Sequence, residues 1–111
     1  MASKVKVPES AVLKACLDLL QHHPKVAMVW RANAGAMKNP NGQYVTFGFV
    51  GQPDILGCLK DSGRLIAIEC KAPGKQPTVA QASFLCRVQI AGGIGYWTDD
   101  AAKLAKFMET V

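Results

Sequence analysis

Two apolar segments on either side of Asp61-Ser62-Gly63 constrain the fold of this chain more than any other part of the sequence. They cover residues 54–60 and 64–71. An Asp-Ser-Gly tripeptide between two such segments is typical of a β-hairpin. Both segments are apolar at successive positions, as strands are when helices cover both faces of their sheet. The sequence therefore predicts two central strands in an α/β fold.

The rest of the chain adds helix and strand patterns around this hairpin. Pro8 starts a segment whose apolar residues recur at helical spacing, and Thr78 to Gln81 has the form of a capping box. The other predicted elements are a helix over 8–22, a strand over 26–31, a long loop over 33–42, a β segment over 44–50, a helix from 78 to about 90, a strand over 94–97 and a helix ending at 108. This order predicts a single domain over residues 1–111, a mixed β-sheet flanked by helices in the order α-β-β-β-α-β-α, with a fourth strand possible before the second helix.

The composition is that of one folded domain and excludes several other classes. Of 111 residues, 50% are hydrophobic and 19% charged, which excludes intrinsic disorder and leaves no room for a second domain. No apolar run approaches the roughly 18 to 20 residues of a membrane span, and no signal-peptide core follows the first lysines, so we expect neither secretion nor membrane insertion. Thirteen basic residues against eight acidic ones give a net charge of +5, a modest indication of a polyanionic partner.

Four cysteines lie far apart, at positions 16, 58, 70 and 86, without a C-x-x-C pair and with apolar neighbours. This pattern predicts buried free thiols and therefore a reducing compartment, the cytoplasm. A zinc site formed with His22 or His23 is a minor alternative, because the spacing typical of zinc ligands is absent.

Periodicity also predicts which side chains face the core. Glu9 shares a helix face with Leu13, Cys16 and Leu20, so we expect this acid to turn towards the sheet. Six aromatic residues fall on periodic apolar positions and are predicted to be core: Trp30, Tyr44, Phe47, Phe84, Trp97 and Phe107.

The residues at one end of the predicted hairpin point to metal chemistry. Asp54 begins one strand and Glu69 lies near the end of the other, so pairing brings both carboxylates to the same end of the sheet. Lys71 shares a strand face with Glu69, and the backbone carbonyl of Cys70 can face the same pocket. Such an oxygen shell suits Mg²⁺ or Mn²⁺, and Lys71 could orient an attacking water or stabilise negative charge. The pattern predicts metal-assisted phosphodiester hydrolysis.

The same residues carry a family resemblance. Pro53-Asp54 followed by Glu69-Cys70-Lys71 resembles the PD-(D/E)xK nuclease signature. Further matches follow in order along nearly the whole chain: Glu9, Trp30-Arg31-Ala32-Asn33-Ala34-Gly35, Gly51-Gln52-Pro53-Asp54, Ile68 to Lys71, Gln81 and Gly93. Together they resemble the virus-type replication-repair nuclease (VRR-NUC) domain, in the stand-alone form found in phages and prophages.

The resemblance implies a restriction-endonuclease-like core, Mg²⁺-dependent cleavage, and action on branched DNA such as Holliday junctions, in the cytoplasm of a bacterial host. Carried over residue by residue, it assigns Glu9, Asp54 and Glu69 as metal-site acids and Lys71 as the catalytic lysine. It assigns Gln81 as the helix residue that faces the site.

Four residues are candidates for contacts with DNA: Arg31, Asn33, Lys38 and Lys75. Symmetric resolution of a four-way junction needs two cuts related by a two-fold axis, and a domain of this size has one active site. We therefore expect a homodimer.

Each assignment has a structural alternative. Asp54 could cap a turn, Glu69 and Lys71 could form a surface pair, Glu9 could be an ordinary first-turn acid, and Gln81 could serve only the capping box. The same motif would also serve a monomeric nickase or flap nuclease, and a catalytically silent DNA-binding module is a candidate from a different class. No residue excludes RNA as the substrate.

Overall fold

The computed structural model describes residues 6–32, 35–47 and 50–111, and in them the chain forms a mixed α/β fold. Its elements are α1 (Glu9–Gln21), β1 (Val26–Arg31), β2 (Gly35–Lys38), β3 (Tyr44–Phe47), β4 (Ile55–Leu59), β5 (Leu65–Cys70), α2 (Val79–Ile90), β6 (Ile94–Thr98) and α3 (Ala101–Met108).

The predicted central hairpin is confirmed as the middle of a four-stranded mixed sheet. The strand order is β1-β4-β5-β6, with β1 and β5 antiparallel to β4 and with β6 parallel to β5. Ile55 pairs with Ile68 across the hairpin, and the register continues so that Asp54 lies beside Glu69. The β4–β5 pairing therefore sets two carboxylates next to each other at one end of the sheet.

Helices cover the two faces of this sheet unequally. On one face, α1 and α3 enclose the main core, in which Leu20, Ile55, Ile66 and Leu104 are fully buried. On the other face, α2 packs Leu85 and other residues over β5 and β6. Within the described ranges a single helix covers that second face, so no described helix lies over its β1 and β4 half.

Three of the six aromatic residues predicted to be core are exposed, so the prediction is wrong for them. Trp30, on the edge strand β1, is 48% exposed, and Trp97, on the other edge strand, is 37% exposed. Tyr44 is 73% exposed in β3. Phe84 and Phe107 are partly buried against the core, and the side chain of Phe47 lies outside the described part of the structure. Their strand periodicity gave the face of the sheet but not whether a helix covers it.

The prediction of buried thiols holds for two of the four cysteines. Cys16 and Cys70 are fully buried in the main core. Cys58 is half-buried on the partly covered sheet face, and Cys86 is exposed on α2. All four are free thiols in the structure.

The predicted loop over 33–42 is wrong for residues 35–38, which form β2. β2 pairs with β3 in a two-stranded sheet of its own, so five strands precede α2 instead of the predicted three or four. Asn39 stabilises the turn between these strands, because its side-chain oxygen accepts hydrogen bonds from the backbone N–H groups of Asn41 and Gln43, both at 3.0 Å. We call residues 35–47 the β2–β3 arm.

The helix boundaries agree with the capping signals in the sequence. Pro8 is the N-cap of α1, Thr78 and Gln81 form both hydrogen bonds of the capping box of α2, and the Asp100 carboxylate caps α3. None of the helices in the described ranges is long and apolar enough to cross a membrane.

Close packing of α2 on the sheet depends on Gly95 in β6. A Cβ built at Gly95 would lie 2.4 Å from the backbone oxygen of Leu85 in α2. Gly95→Ala should therefore push the helix away and lower the free energy of unfolding by about 1 to 3 kcal/mol, measured by urea denaturation. Ser83→Ala, on the exposed side of the same helix, is the matched control and should cost little. Equal stability of the Gly95→Ala variant and the unmodified protein would contradict this packing.

Candidate active site at the end of the central hairpin

The centre of the candidate site is the pair of carboxyl groups on neighbouring strands, Asp54 and Glu69. The Asp54 side chain is fixed because its Oδ2 accepts a hydrogen bond of 2.9 Å from the backbone N–H of Cys70. Glu69 follows on the same hairpin and is only 2% exposed. The structure thus confirms that the hairpin brings these two predicted site residues together.

The buried carboxyl group of Glu69 receives too few hydrogen bonds from the described residues to satisfy both of its oxygens. Its Oε2 has no hydrogen-bond partner among the described residues. Burial, together with the neighbouring Asp54 carboxyl group, raises the pKa of Glu69 to about 8. Two ionised carboxylates cannot hydrogen-bond each other, so the pair is stable only if one takes up a proton or a cation lies between them.

Gln81 performs both of the roles proposed for it. Its Oε1 accepts the capping hydrogen bond from the backbone N–H of Thr78 at 2.8 Å, and its Nε2 donates to Oε1 of Glu69 at 3.3 Å. The amide has two ends, so the capping box leaves the donor free for the site. The capping contact and the contact with Glu69 are therefore compatible with each other.

Lys71 lies beside the two acids, and its neighbour across the fold is Glu9. The Lys71 Nζ is 3.8 Å from the Glu9 carboxylate, and the lysine side chain is largely buried. The positive charge of Lys71 partly counters the raised pKa of Glu69, and the charge of Glu9 adds slightly to it. All four charged groups therefore act on one small region.

The prediction that Glu9 turns towards the sheet and away from solvent holds for its direction, because Glu9 reaches Lys71, but not for its burial. Its side chain is 51% exposed, whereas Leu13 and Cys16 on the same helix face are buried. Glu9 is the first residue of α1, so it lies where the packed interface ends and reaches Lys71 from the edge. Helix phase predicted the direction correctly but not the depth.

The predicted backbone ligand, the carbonyl of Cys70, stays a prediction. The structure assigns the N–H of Cys70 to Asp54 and places its thiol on the opposite side, in the core against Cys16. A hydrogen bond with Cys16, together with burial, raises the pKa of the Cys70 thiol, so this sulfur is a protonated core group.

Three of the four predicted DNA contacts are exposed residues on different elements of the described structure. Arg31 is exposed at the end of β1, Lys38 is exposed in the β2–β3 arm, and Lys75 is exposed in the loop between β5 and α2. Asn33 lies outside the described residues. Their positions as DNA ligands stay a prediction.

Gly51 belongs to the segment Gly51-Gln52-Pro53-Asp54 that the sequence singled out, but its packing against α2 was not predicted. It has a positive φ of 78°, and a Cβ there would lie 2.5 Å from the backbone carbonyl of Ala80. The segment that leads to Asp54 is therefore packed against the first turn of α2, the turn that carries Gln81. The available signal was a glycine shortly before the Pro53-Asp54 motif.

Two carboxylates with an unpartnered buried oxygen fit a hard divalent cation, and Asp54 and Glu69 are the residues that would hold it. Within residues 6–32, 35–47 and 50–111, no group of three or more His, Cys, Asp or Glu side chains is arranged to hold a metal ion. Glu9 is near, but it contacts Lys71.

No protein-family model, curated protein or solved structure matches the chain. The class that the structure itself defines is a mixed α/β domain with an acidic pair, the buried Glu69 and the half-buried Asp54, at one end of its central hairpin.

The raised pKa of Glu69 has a measurable effect on stability. Between about pH 4.5 and pH 8 the folded protein keeps a proton that the unfolded chain releases, so the free energy of unfolding falls as the pH rises through this range. The slope from one such group is at most about 1.4 kcal/mol per pH unit. We expect wild-type stability in EDTA to fall relative to Glu69→Gln from pH 5 to pH 8. Asp61→Asn, at the exposed hairpin turn, should leave the slope unchanged, and parallel pH profiles for wild type and Glu69→Gln would contradict the burial argument.

The two bonds of Gln81 can be separated by substitution. Thr78→Ala removes only the cap and should cost about 1 kcal/mol of stability equally at pH 5 and pH 8. Gln81→Glu keeps a capping-box side chain but places a second carboxyl on Glu69, so its cost should be larger at pH 8 than at pH 5. Urea unfolding followed by circular dichroism at the two pH values measures both effects. A Gln81→Glu cost that does not change with pH would show that Gln81 is only a cap.

Proposed function

We propose that this protein is a metal-dependent nuclease that hydrolyses phosphodiester bonds in DNA, of the VRR-NUC type within the PD-(D/E)xK nucleases. The observation that carries the proposal is the buried, unpartnered oxygen of Glu69 beside Asp54. A purely structural acid at this depth would have donors for both oxygens. The sequence motif supports the same conclusion, since its acidic and basic members lie at one end of one hairpin.

The cofactor in this proposal is Mg²⁺, with Mn²⁺ as a substitute. Asp54 and Glu69 would hold it, and Glu9 and the Cys70 carbonyl are the further ligands that the family resemblance and the strand geometry suggest. When bound, the ion supplies positive charge that offsets the two carboxylates, binds a phosphate oxygen and increases the acidity of an attacking water.

The chain's own residues have distinct roles. The ammonium group of Lys71 lies beside the acidic pair. In this proposal it orients the water that attacks phosphorus or stabilises the negative charge that develops on the phosphate. Gln81 holds the Glu69 carboxylate in orientation through its Nε2. The capping bond fixes the Gln81 amide, and this makes the orientation rigid.

The proposed substrate is branched DNA, a four-way junction or a flap, and the proposed assembly is a homodimer acting in the cytoplasm of a bacterial cell. Two copies are needed for paired cuts on a junction. The exposed apolar side chains of Met28 and Trp30 on the half-covered sheet face are the kind of surface that a dimer buries. A flap or nicking enzyme acting as a monomer has the same active-site requirements and is distinguished by its substrate preference.

The direct test is cleavage of labelled four-way junction, flap, linear duplex and single-stranded DNA with Mg²⁺, Mn²⁺ or EDTA. We expect cleavage of branched DNA with either metal and none in EDTA. Asp54→Asn, Glu69→Gln and Lys71→Ala should each lower the rate by at least about 100-fold, because each removes charge or orientation at the reacting phosphate.

Two exposed residues away from the site provide matched controls for these variants. Asp61→Asn removes a carboxylate at the other end of the same hairpin, and Lys14→Ala removes an exposed lysine of α1. Both should cleave at the wild-type rate. Cleavage that persists in EDTA or in Asp54→Asn, or junction binding without cleavage in any metal, would refute the nuclease proposal.

A further inference from the structure

We infer that the β2–β3 arm enters the major groove of B-form duplex DNA beside the cleaved phosphate, which makes duplex DNA and not duplex RNA the substrate of the site. The inference rests on the proposed function for the chemistry of the site. The form of the duplex is inferred from the position, exposure and charge of the β2–β3 arm.

The arm is attached at the end of the sheet that carries the acidic pair. It is inserted between β1 and β4, which are antiparallel neighbours in the main sheet. Directly after β1, the backbone N–H of Ala32 donates to the carbonyl oxygen of Asp54 at 2.7 Å. The chain therefore leaves the sheet for the arm, and returns from it, next to Asp54.

The arm is a two-stranded ribbon that forms a sheet separate from the main one. Its four pairs run from Gly35 opposite Phe47 to Lys38 opposite Tyr44. Tyr44 and Val45 are 73% and 46% exposed. An isolated two-stranded ribbon is at best marginally stable in water, so one that shows such side chains is suited to contact with a partner.

The charge of this region is complementary to a phosphate backbone. Residues 30–53 contain no Asp or Glu, whereas Arg31 and Lys38 lie within them. Arg31 is exposed at the base of the arm and Lys38 is exposed near its tip. A duplex lying along the arm would meet cations and no acid from this part of the sequence.

The tip combines a held cation with hydrogen-bonding amides. The Lys38 Nζ lies 5.5 Å from the centre of the Tyr44 ring, a cation–π contact that favours one position of the ammonium. The turn is fixed by Asn39, which leaves the exposed side chains of Asn41 and Gln43 at the end of the ribbon. Asn and Gln amides are well suited to base edges in the major groove.

The dimensions of the groove decide between the two kinds of duplex. The major groove of B-form DNA is roughly 12 Å wide and admits a two-stranded β-ribbon. The major groove of A-form RNA is deep and too narrow for side chains to enter. An arm of this shape therefore contributes to the binding of duplex DNA and not to that of duplex RNA.

The test measures binding by fluorescence anisotropy in EDTA, with a 24-base-pair DNA duplex and the RNA duplex of the same sequence as probes. The double substitution Lys38→Ala/Tyr44→Ala should weaken binding of the DNA duplex by about tenfold or more and leave binding of the RNA duplex unchanged. Lys38→Ala alone should lower the salt slope of DNA binding by about one. Lys14→Ala removes an exposed lysine of α1 and is the matched control. Its loss of DNA affinity should be smaller than that of Lys38→Ala.

A second measurement locates the arm on the DNA. Bound wild-type protein should protect guanine N7, a major-groove atom, from dimethyl sulfate, and the double variant should not. Equal DNA affinity of wild type and double variant, equal losses on DNA and RNA, or no protection at guanine N7 would each overturn the inference. Thermal unfolding verifies that the variants are folded.

The failure of the inference and the failure of the proposed function give different results. Hydrolysis of bis(p-nitrophenyl) phosphate needs the acidic pair but offers no groove, so it reports on the proposed chemistry of the wild-type protein with Mn²⁺ independently of the arm. A wild-type protein that hydrolyses neither this ester nor DNA would refute the nuclease proposal. Variants of the β2–β3 arm that bind DNA like wild type would refute only the inference about the arm.

Discussion

The register of one antiparallel hairpin sets the arrangement of everything that acts chemically in this molecule. Because Ile55 lies opposite Ile68, Asp54 lies opposite Glu69, and a shift by one residue would turn one of these acids to the other face of the sheet. The apolar side chains of β4 and β5 oppose such a shift, since it would move the residues that α1 and α3 bury away from those helices. The stability of the core and the position of the acidic pair are thus maintained by the same pairing.

Local sequence signals predicted the elements that depend on local interactions. The central hairpin and the capping box of α2 follow from turn and capping chemistry within a few residues, and both are present. The two strand-borne acids of the candidate site followed from the hairpin by simple geometry. The depth of Glu69 in the protein could not be predicted, because it depends on the position of α2 over β5.

The predictions that failed depend on distant parts of the fold. Trp30 lies on a regular strand, but its exposure depends on the absence of a second helix over β1, which no local pattern encodes. Glu9 has the correct helix phase, but its exposure depends on where the sheet ends. The β2 strand was not predicted, because Gly35-Ala36-Met37-Lys38 precedes a turn rich in asparagine, proline and glycine and lacks the apolar alternation that identifies most strands.

The β2–β3 arm is inserted between two neighbouring antiparallel strands. This insertion separates the surface that would bind a partner from the core that positions the acidic pair. An antiparallel pair needs only a short connection, so the length and composition of the arm are free to vary without a shift in the β1–β4 register or a loss of core volume. Mutations in the arm should therefore change neither the stability of the core nor the position of Asp54. A domain built in this way can acquire new binding preferences by changing one surface segment, while its acidic centre remains under the constraints of the core.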